Sequence, residues 1–95
     1  MSITDSDNSR VSGSRFTPLY EEFLRLIIEA RKTVGISQNE LSRRLKKPQP
    51  FVSKYEHGVR RLDVGEFVQI SKALGIDPLH VMKKLLLFDA SKKRK

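Results

Sequence analysis

The chain has 95 residues, so we expect one small domain rather than several. Its 19 Lys and Arg residues exceed its 11 Asp and Glu residues, which gives a formal net charge of +8. This charge argues against an acidic small-molecule site and favours a polyanionic partner, either nucleic acid or an anionic membrane surface. The absence of Cys excludes disulfides and thiolate metal sites, so stability must come from packing.

The two ends of the chain differ in composition from its middle. Residues 1–15 are mostly polar and are predicted to form a disordered N-terminal arm, whereas 89–95 are predicted to form a basic C-terminal tail. The longest apolar run, 85–88, is far shorter than the roughly 20 residues of a membrane-spanning helix. The first residues also lack the pattern of a secretory signal, so we expect a cytoplasmic protein without membrane association, folded over 16–88.

The first two helices are predicted from apolar residues that recur at spacings of three and four. The first helix should begin after Thr17, a capping residue, with Pro18 as its first residue, and should end at Gly35. The second is about two turns long. It should begin at a capping box in which Ser37 and Glu40 each accept a hydrogen bond from a free amide.

The third helix is predicted to begin at Pro50. Gln49 should be its cap, because a residue before proline avoids the helical conformation. Val52 and Tyr55 should point inward, and Gly58 should end the helix.

Two more helices complete the predicted all-α fold. Asp63 and Glu66 form the start signal of the fourth helix, which should end at Gly75. Asp77 followed by Pro78 predicts the start of the fifth helix. No strand pattern of useful length appears.

The second and third helices have the lengths and the tight link of a helix-turn-helix. Residues 36–45 (ISQNELSRRL) and 52–58 (VSKYEHG) resemble the Cro/XRE-type helix-turn-helix of phage repressors and bacterial transcriptional regulators, and the likeness extends from Arg31 to Asp77. The resemblance implies a compact five-helix lambda-repressor-like domain that binds double-stranded DNA, in the cytoplasm at the nucleoid. It further implies a sequence-specific transcriptional regulator, expected to be a dimeric repressor or autoregulator.

Candidate base-reading residues lie on the side of the third helix opposite its buried face, where they would point into the major groove. They are Gln49, Pro50, Ser53 and Lys54. A Gln amide can bond adenine at two points and Lys can donate to guanine, whereas Pro offers only apolar contact, for example to a thymine methyl. Ser53 could instead contact only phosphate.

Candidate phosphate contacts surround that helix and are Ser37, Gln38, Arg43, Lys47, Arg60 and Arg61. Residues 43–61 hold seven basic side chains and one acid, a local excess of +6, which can supply sequence-independent affinity. Lys46 and Lys47 replace the Gly and the aliphatic residue usual in the family's turn. We therefore expect a differently shaped link that depends on Pro48 for rigidity, with Phe51 filling the space left by the missing aliphatic residue.

The resemblance also implies a structural salt bridge between Arg31 and Glu56, with a possible phosphate contact from the Arg. The last helix carries more apolar residues than one buried face needs, which predicts a dimer interface or, alternatively, internal burial. The predicted interface residues are Met82, Leu85, Leu86 and Phe88.

Other functions were weighed against DNA-binding regulation. No nucleophile elbow, phosphate loop or metal-ligand spacing is present, so we expect no enzyme, no cofactor, no metal and no small-molecule ligand. The same fold could instead serve as a protein-interaction adaptor or as an antitoxin-type module that binds a partner. The basic tail could be a targeting or nonspecific nucleic-acid element.

Overall fold

The computed structural model describes residues 16–93, which form five helices joined by short links. The helices are α1 (Pro18–Val34), α2 (Gln38–Leu45), α3 (Pro50–Glu56), α4 (Val64–Leu74) and α5 (Pro78–Lys93). The described residues contain no strand, and the all-α five-helix prediction is confirmed. The predicted arm at 1–15 and the last two residues of the tail lie outside the described residues.

Several helix ends follow the predicted capping chemistry. The Thr17 hydroxyl accepts a hydrogen bond from the Tyr20 amide at 3.1 Å, and Gly35 ends α1 in the left-handed conformation. At the start of α4, Asp63 and Glu66 form both bonds of the predicted capping box. These local signals fix where α1 and α4 begin and how they enter the core.

Two predicted start signals are wrong in detail. Ser37 does accept from the Glu40 amide at 3.0 Å, but the Glu40 carboxylate accepts from Arg43 and Arg44 instead of returning to the start of α2. Gln49 is itself helical, with φ −50° and ψ −41°, and its side chain makes no cap. The chain enters α3 through a tight turn in which the Phe51 amide donates to Pro48 at 2.9 Å.

The link between α2 and α3 keeps a shape that Gly favours. Lys46 adopts φ 59° and ψ 41°, the left-handed region, and its amide donates to the Arg43 carbonyl. The expected change of shape is therefore wrong at this residue, because two hydrogen bonds from 46 and 47 to the end of α2 hold the turn. A side chain in this conformation is strained by about 1–2 kcal/mol.

The core lies where all five helices meet, with α1 packed on α5 and α4, and α2 packed on α3 and α4. Its buried apolar residues are Leu24, Leu26, Ile27, Leu41, Phe51, Val52, Tyr55, Phe67, Ile70, Leu74 and Val81. Three of them belong to the seven-residue α3. So short a helix is marginal alone, so its position depends on this packing.

Helix α5 continues to Lys93, five residues beyond the predicted boundary at residue 88. No Gly or Pro follows Phe88 to end it, and positive charges are favourable near the C-terminal end of a helix dipole. Lys92 also packs its ammonium 5.5 Å from the centre of the Phe88 ring. No helix in the described part of the chain is long and apolar enough to cross a membrane.

Candidate nucleic-acid interface

Helix α3 divides cleanly into a buried side and an exposed side. Phe51, Val52 and Tyr55 are buried, at 9%, 0% and 1% exposure. The predicted base-reading residues lie outside the core: Gln49, Pro50 and Lys54 are exposed, and Ser53 is half-buried. The structure thus places these four polar or small residues together on a helix whose opposite side is fixed by packing.

A buried serine of α2 fixes the start of α3. The Ser42 hydroxyl donates to the Gln49 carbonyl at 3.1 Å and accepts from the Val52 amide at 3.3 Å. Ser42 is only 1% exposed. It therefore does the capping that was expected of the Gln49 side chain. In the sequence, only the position of Ser42 directly after Leu41 points to its burial. That position gives no indication of its hydrogen bonds to α3.

Arg31 and Glu56 form a buried, two-point ion pair between α1 and α3. Arg31 Nε and Nη2 donate to the two Glu56 oxygens at 2.8 and 3.1 Å, and Nη1 donates to the Ile36 carbonyl at 2.7 Å. The Glu56 hydrogen bond is the main reason why the pKa of Arg31 is raised. The pair ties α1 and the link before α2 to the end of α3.

Gln38 joins this pair instead of leaving its amide free. Its Nε2 donates to Glu56 Oε1 at 2.8 Å, so the side chain helps to neutralise the buried carboxylate. The free backbone amides at the start of α2 remain suited to an anion, since a helix N-terminus favours negative charge. Ser37, just before them, is exposed.

Arg43, in the last turn of α2, and Lys47, in the link to α3, are both exposed. The Arg43 side chain is 75% exposed and donates to Glu40 at 2.6 and 3.0 Å. Hydrogen bonds from Arg43, and then from Arg44, lower the pKa of Glu40. Exposed pairs of this kind contribute little stability, so Arg43 can exchange its partner for a phosphate at small cost.

Arg60 forms an ion pair with Glu66 of α4. Its guanidinium donates to both Glu66 oxygens at 2.9 and 2.6 Å and lies 5.0 Å from the centre of the Phe51 ring. The Arg60 bonds, together with the Asp63 amide, lower the pKa of Glu66 to about 2, so this pair stays charged at neutral pH. Arg60 therefore braces the link between α3 and α4.

Arg61 is placed differently from its neighbour. Its guanidinium lies 4.7 Å from the Phe16 ring centre and 4.9 Å from the Tyr20 ring centre. Within residues 16–93 no carboxylate pairs with it. Cation–π contact with the two rings holds the guanidinium in place, and its N–H groups can still donate to an anion.

His57 also lies beside the exposed side of α3. It ends α3, is exposed, and places Nδ1 2.7 Å from the Ser53 carbonyl and 3.3 Å from the Ser53 hydroxyl. The spacing of four residues from Ser53 could have indicated this neighbour. In the described part of the chain, no group of three His, Cys, Asp or Glu side chains could hold a metal ion.

The predicted interface residues of α5 do not share one side of the helix. Met82 and Leu86 are exposed, at 39% and 63%, and lie in line with Leu79, which is 74% exposed and is not one of the four predicted interface residues. Leu85 is half-buried in an apolar groove bordered by α1, α4 and α5. Phe88, two residues after Leu86, points to nearly the opposite side of the helix.

Comparison with known proteins agrees with this arrangement. A helix-turn-helix family model matches residues 27–81, more than half of the chain. Among solved structures, the chain is similar to an XRE-family like protein from Pseudomonas syringae pv. tomato str. DC3000, with 45% sequence identity and a TM-score of 0.72. The match covers 75% of this chain and 89% of that chain. No curated protein sequence gives a significant match.

The matched range contains α2, α3 and the turn between them, which are the parts that carry the exposed polar residues and the local basic excess. The family resemblance seen in the sequence is thus confirmed by two independent comparisons. The chain belongs to the XRE-type helix-turn-helix family and is a DNA-binding regulator of that type.

Proposed function

We propose that this protein is a sequence-specific, dimeric repressor or autoregulator that reads the DNA major groove with α3. The observation that carries the proposal is the exposed side of α3, where Gln49, Pro50, Ser53 and Lys54 stand on a helix fixed by buried residues. A rigid helix with polar side chains outside the core is what direct reading of base edges requires.

The proposed roles follow from the chemistry of each side chain. Gln49 suits adenine, Lys54 suits guanine, and Pro50 can contact a thymine methyl. Ser53 can contact a base or a phosphate. Because Lys54 carries the only charge of the four, its replacement should also reduce the salt dependence of binding.

Phosphate binding is assigned to groups that are free or easily freed. The first set comprises Lys47 and Arg61, whose cations lie over aromatic rings, and the backbone amides of Ser37 and Gln38. Arg43 can join after releasing Glu40. Arg60 contributes its charge from its fixed place beside Glu66. An operator bound by this protein would then be inaccessible to RNA polymerase.

Alanine substitution of Gln49 or Lys54 tests the base-reading roles. We expect each change to weaken binding to the preferred site by about 1–3 kcal/mol and to relax preference at one base position. The measurement is selection from a randomised duplex pool, followed by titration of the selected site. Lys84→Ala, which removes the same charge from exposed α5, is the control for Lys54→Ala and should keep the wild-type preference. A Gln49→Ala variant with unaltered selectivity would remove Gln49 from the reading set.

Dimerisation is assigned to one side of α5. Leu79, Met82 and Leu86 recur at spacings of three and four and are exposed, with Leu85 in the groove beside them. Contiguous exposed apolar side chains of this kind mark interaction surfaces. A two-fold dimer joined there would present two α3 helices to half-sites about 34 Å apart, one turn of DNA. Phe88 is left out of this surface because it faces the other way.

A charge placed on that side should separate the protomers. We expect wild-type protein to have about twice the 10.9 kDa chain mass in analytical ultracentrifugation, and Leu86→Glu to have the mass of one chain. Leu87→Glu is a matched control, because Leu87 is also 63% exposed but lies about 100° around the helix. It should remain dimeric. A wild-type protein that is monomeric at high concentration would contradict the proposed dimer.

A protein-interaction module is the second candidate function. The same exposed side of α5 favours it, because those apolar residues could bind a different protein instead of a second copy. A monomer that binds random and selected duplexes equally well would favour this function over operator recognition.

A further inference from the structure

The side chain of Gln49 is held by a residue of the preceding helix. Its Nε2 donates to Asn39 Oδ1 at 3.0 Å, across the turn between α2 and α3. Its backbone carbonyl is held at the same time by the Ser42 hydroxyl at 3.1 Å. Gln49 is thus fixed at two points by α2, although its side chain is exposed.

This arrangement leaves the right groups for reading adenine. A Gln amide has two N–H groups and one carbonyl oxygen. Two-point recognition of adenine uses one N–H, which donates to N7, and the oxygen, which accepts from the N6 amino group. The second N–H can keep the bond to Asn39. The bound amide can therefore keep its partner on α2 while it contacts the base.

We propose that Asn39 is a positioning residue that sets the base preference of Gln49. This inference rests on the proposed base-reading role of Gln49. An exposed Gln samples many rotamers, and it can turn its amide to offer either donors or an acceptor to a base edge. Asn39 holds the N–H end toward α2, so one orientation is already selected before DNA binds. Preorganisation of this kind raises the discrimination between bases as well as the affinity.

Asn39 was not among the candidates recognised in the sequence. It is exposed in the first turn of α2, ten residues before its partner, and Asn at such a place is ordinarily a solvated surface residue. Gln38, the neighbouring amide, bonds a different partner, because it donates to Glu56 at 2.8 Å. The two neighbouring amides therefore differ in role: Gln38 supports the buried ion pair, and Asn39 orients the Gln49 side chain.

Two substitutions of Asn39 separate positioning from a structural role. Asn39→Ala removes the acceptor, and we expect preference at the Gln49 base position to fall by about three- to tenfold, with the other positions unchanged. Asn39→Asp keeps an acceptor oxygen at the same place. It should retain the preference at that position while weakening binding to all duplexes, because it adds a negative charge near phosphates. Neither change should lower the thermal unfolding midpoint, since the side chain is exposed.

The experiment compares wild type, both Asn39 variants, Gln49→Ala and the Asn39→Ala/Gln49→Ala double variant. Each is titrated with the selected duplex and with duplexes changed at one base pair. The double variant should show no further loss of preference beyond Gln49→Ala, because both changes act through one contact.

The outcomes distinguish this inference from the function on which it rests. If Gln49→Ala relaxes one position and Asn39→Ala does not, positioning by Asn39 is overturned and base reading by Gln49 stands. If Asn39→Asp loses preference as Asn39→Ala does, the acceptor role is overturned. If Gln49→Ala itself leaves every preference unchanged, base reading by Gln49 fails, and the role of Asn39 fails with it.

Discussion

Arg31→Ala should lower the free energy of unfolding by about 3–5 kcal/mol, the largest effect expected of any polar substitution in this domain. The Glu56 side chain is only 4% exposed and receives two hydrogen bonds from Arg31 and one from Gln38. Without Arg31, the Gln38 amide alone faces a buried negative charge. The Ile36 carbonyl also loses its Arg31 donor.

Arg25→Ala provides a control on the same helix. Arg25 pairs with Glu22 and Glu29, but its side chain is 58% exposed, so water replaces the lost bonds and the free energy of unfolding should stay close to that of the wild type. Urea denaturation followed by circular dichroism measures both variants. Equal stability of the two variants would mean that the Arg31 pair contributes no more than a surface ion pair.

Phe51→Ala should be comparably destabilising, by about 3–5 kcal/mol. The ring is 9% exposed, packs edge-on against Tyr55 with centroids 5.6 Å apart, and lies under the Lys47 and Arg60 cations. Its removal leaves a cavity at the junction of α3 with both neighbouring links. DNA binding should weaken with stability, because α3 loses one of its three buried anchors.

Phe51→Leu separates the effect of losing the aromatic ring from the effect of losing buried volume. Leu refills most of the space, so the loss should stay below about 1.5 kcal/mol. Thermal and urea unfolding of the two variants give the comparison. If Phe51→Ala unfolds at the same urea concentration as Phe51→Leu, the junction does not depend on filling this space.

The local start and stop signals explain why the helix order could be predicted from the sequence. Thr17, Asp63 and Gly35 act through neighbours three or four residues away, so their effect is visible in a short stretch of chain. The apolar spacing then identifies the buried side of each helix, including Val52 and Tyr55 of α3.

The predictions that failed have different causes. Gln49 was expected to avoid the helical conformation, but the Ser42 hydroxyl from α2 bonds its carbonyl and the Val52 amide, which supports a helical start. Lys46 adopts a strained conformation because bonds to the end of α2 hold it there. The Gln49 conformation needs the packed position of α2, whereas the Lys46 conformation is a local helix end formed by a residue that is not Gly.

In the candidate site, too, some features could be predicted from the sequence and others depend on the fold. Residue type and helical spacing were enough to place the four proposed base-reading residues outside the buried side of α3. They could not distinguish Arg60, which is committed to Glu66, from Arg61, which stacks on two rings. Adjacent arginines in a sequence carry the same charge, and only the fold determines which of them is available to DNA.

The most direct test of the account is the affinity ratio between two duplexes of equal length. One carries the site selected from a random pool, and the other carries the same bases in scrambled order. At physiological salt we expect the selected duplex to bind at least about 10³-fold more tightly, with affinity for both falling steeply as salt rises. Equal affinity for both duplexes at every salt concentration would contradict sequence-specific reading by α3.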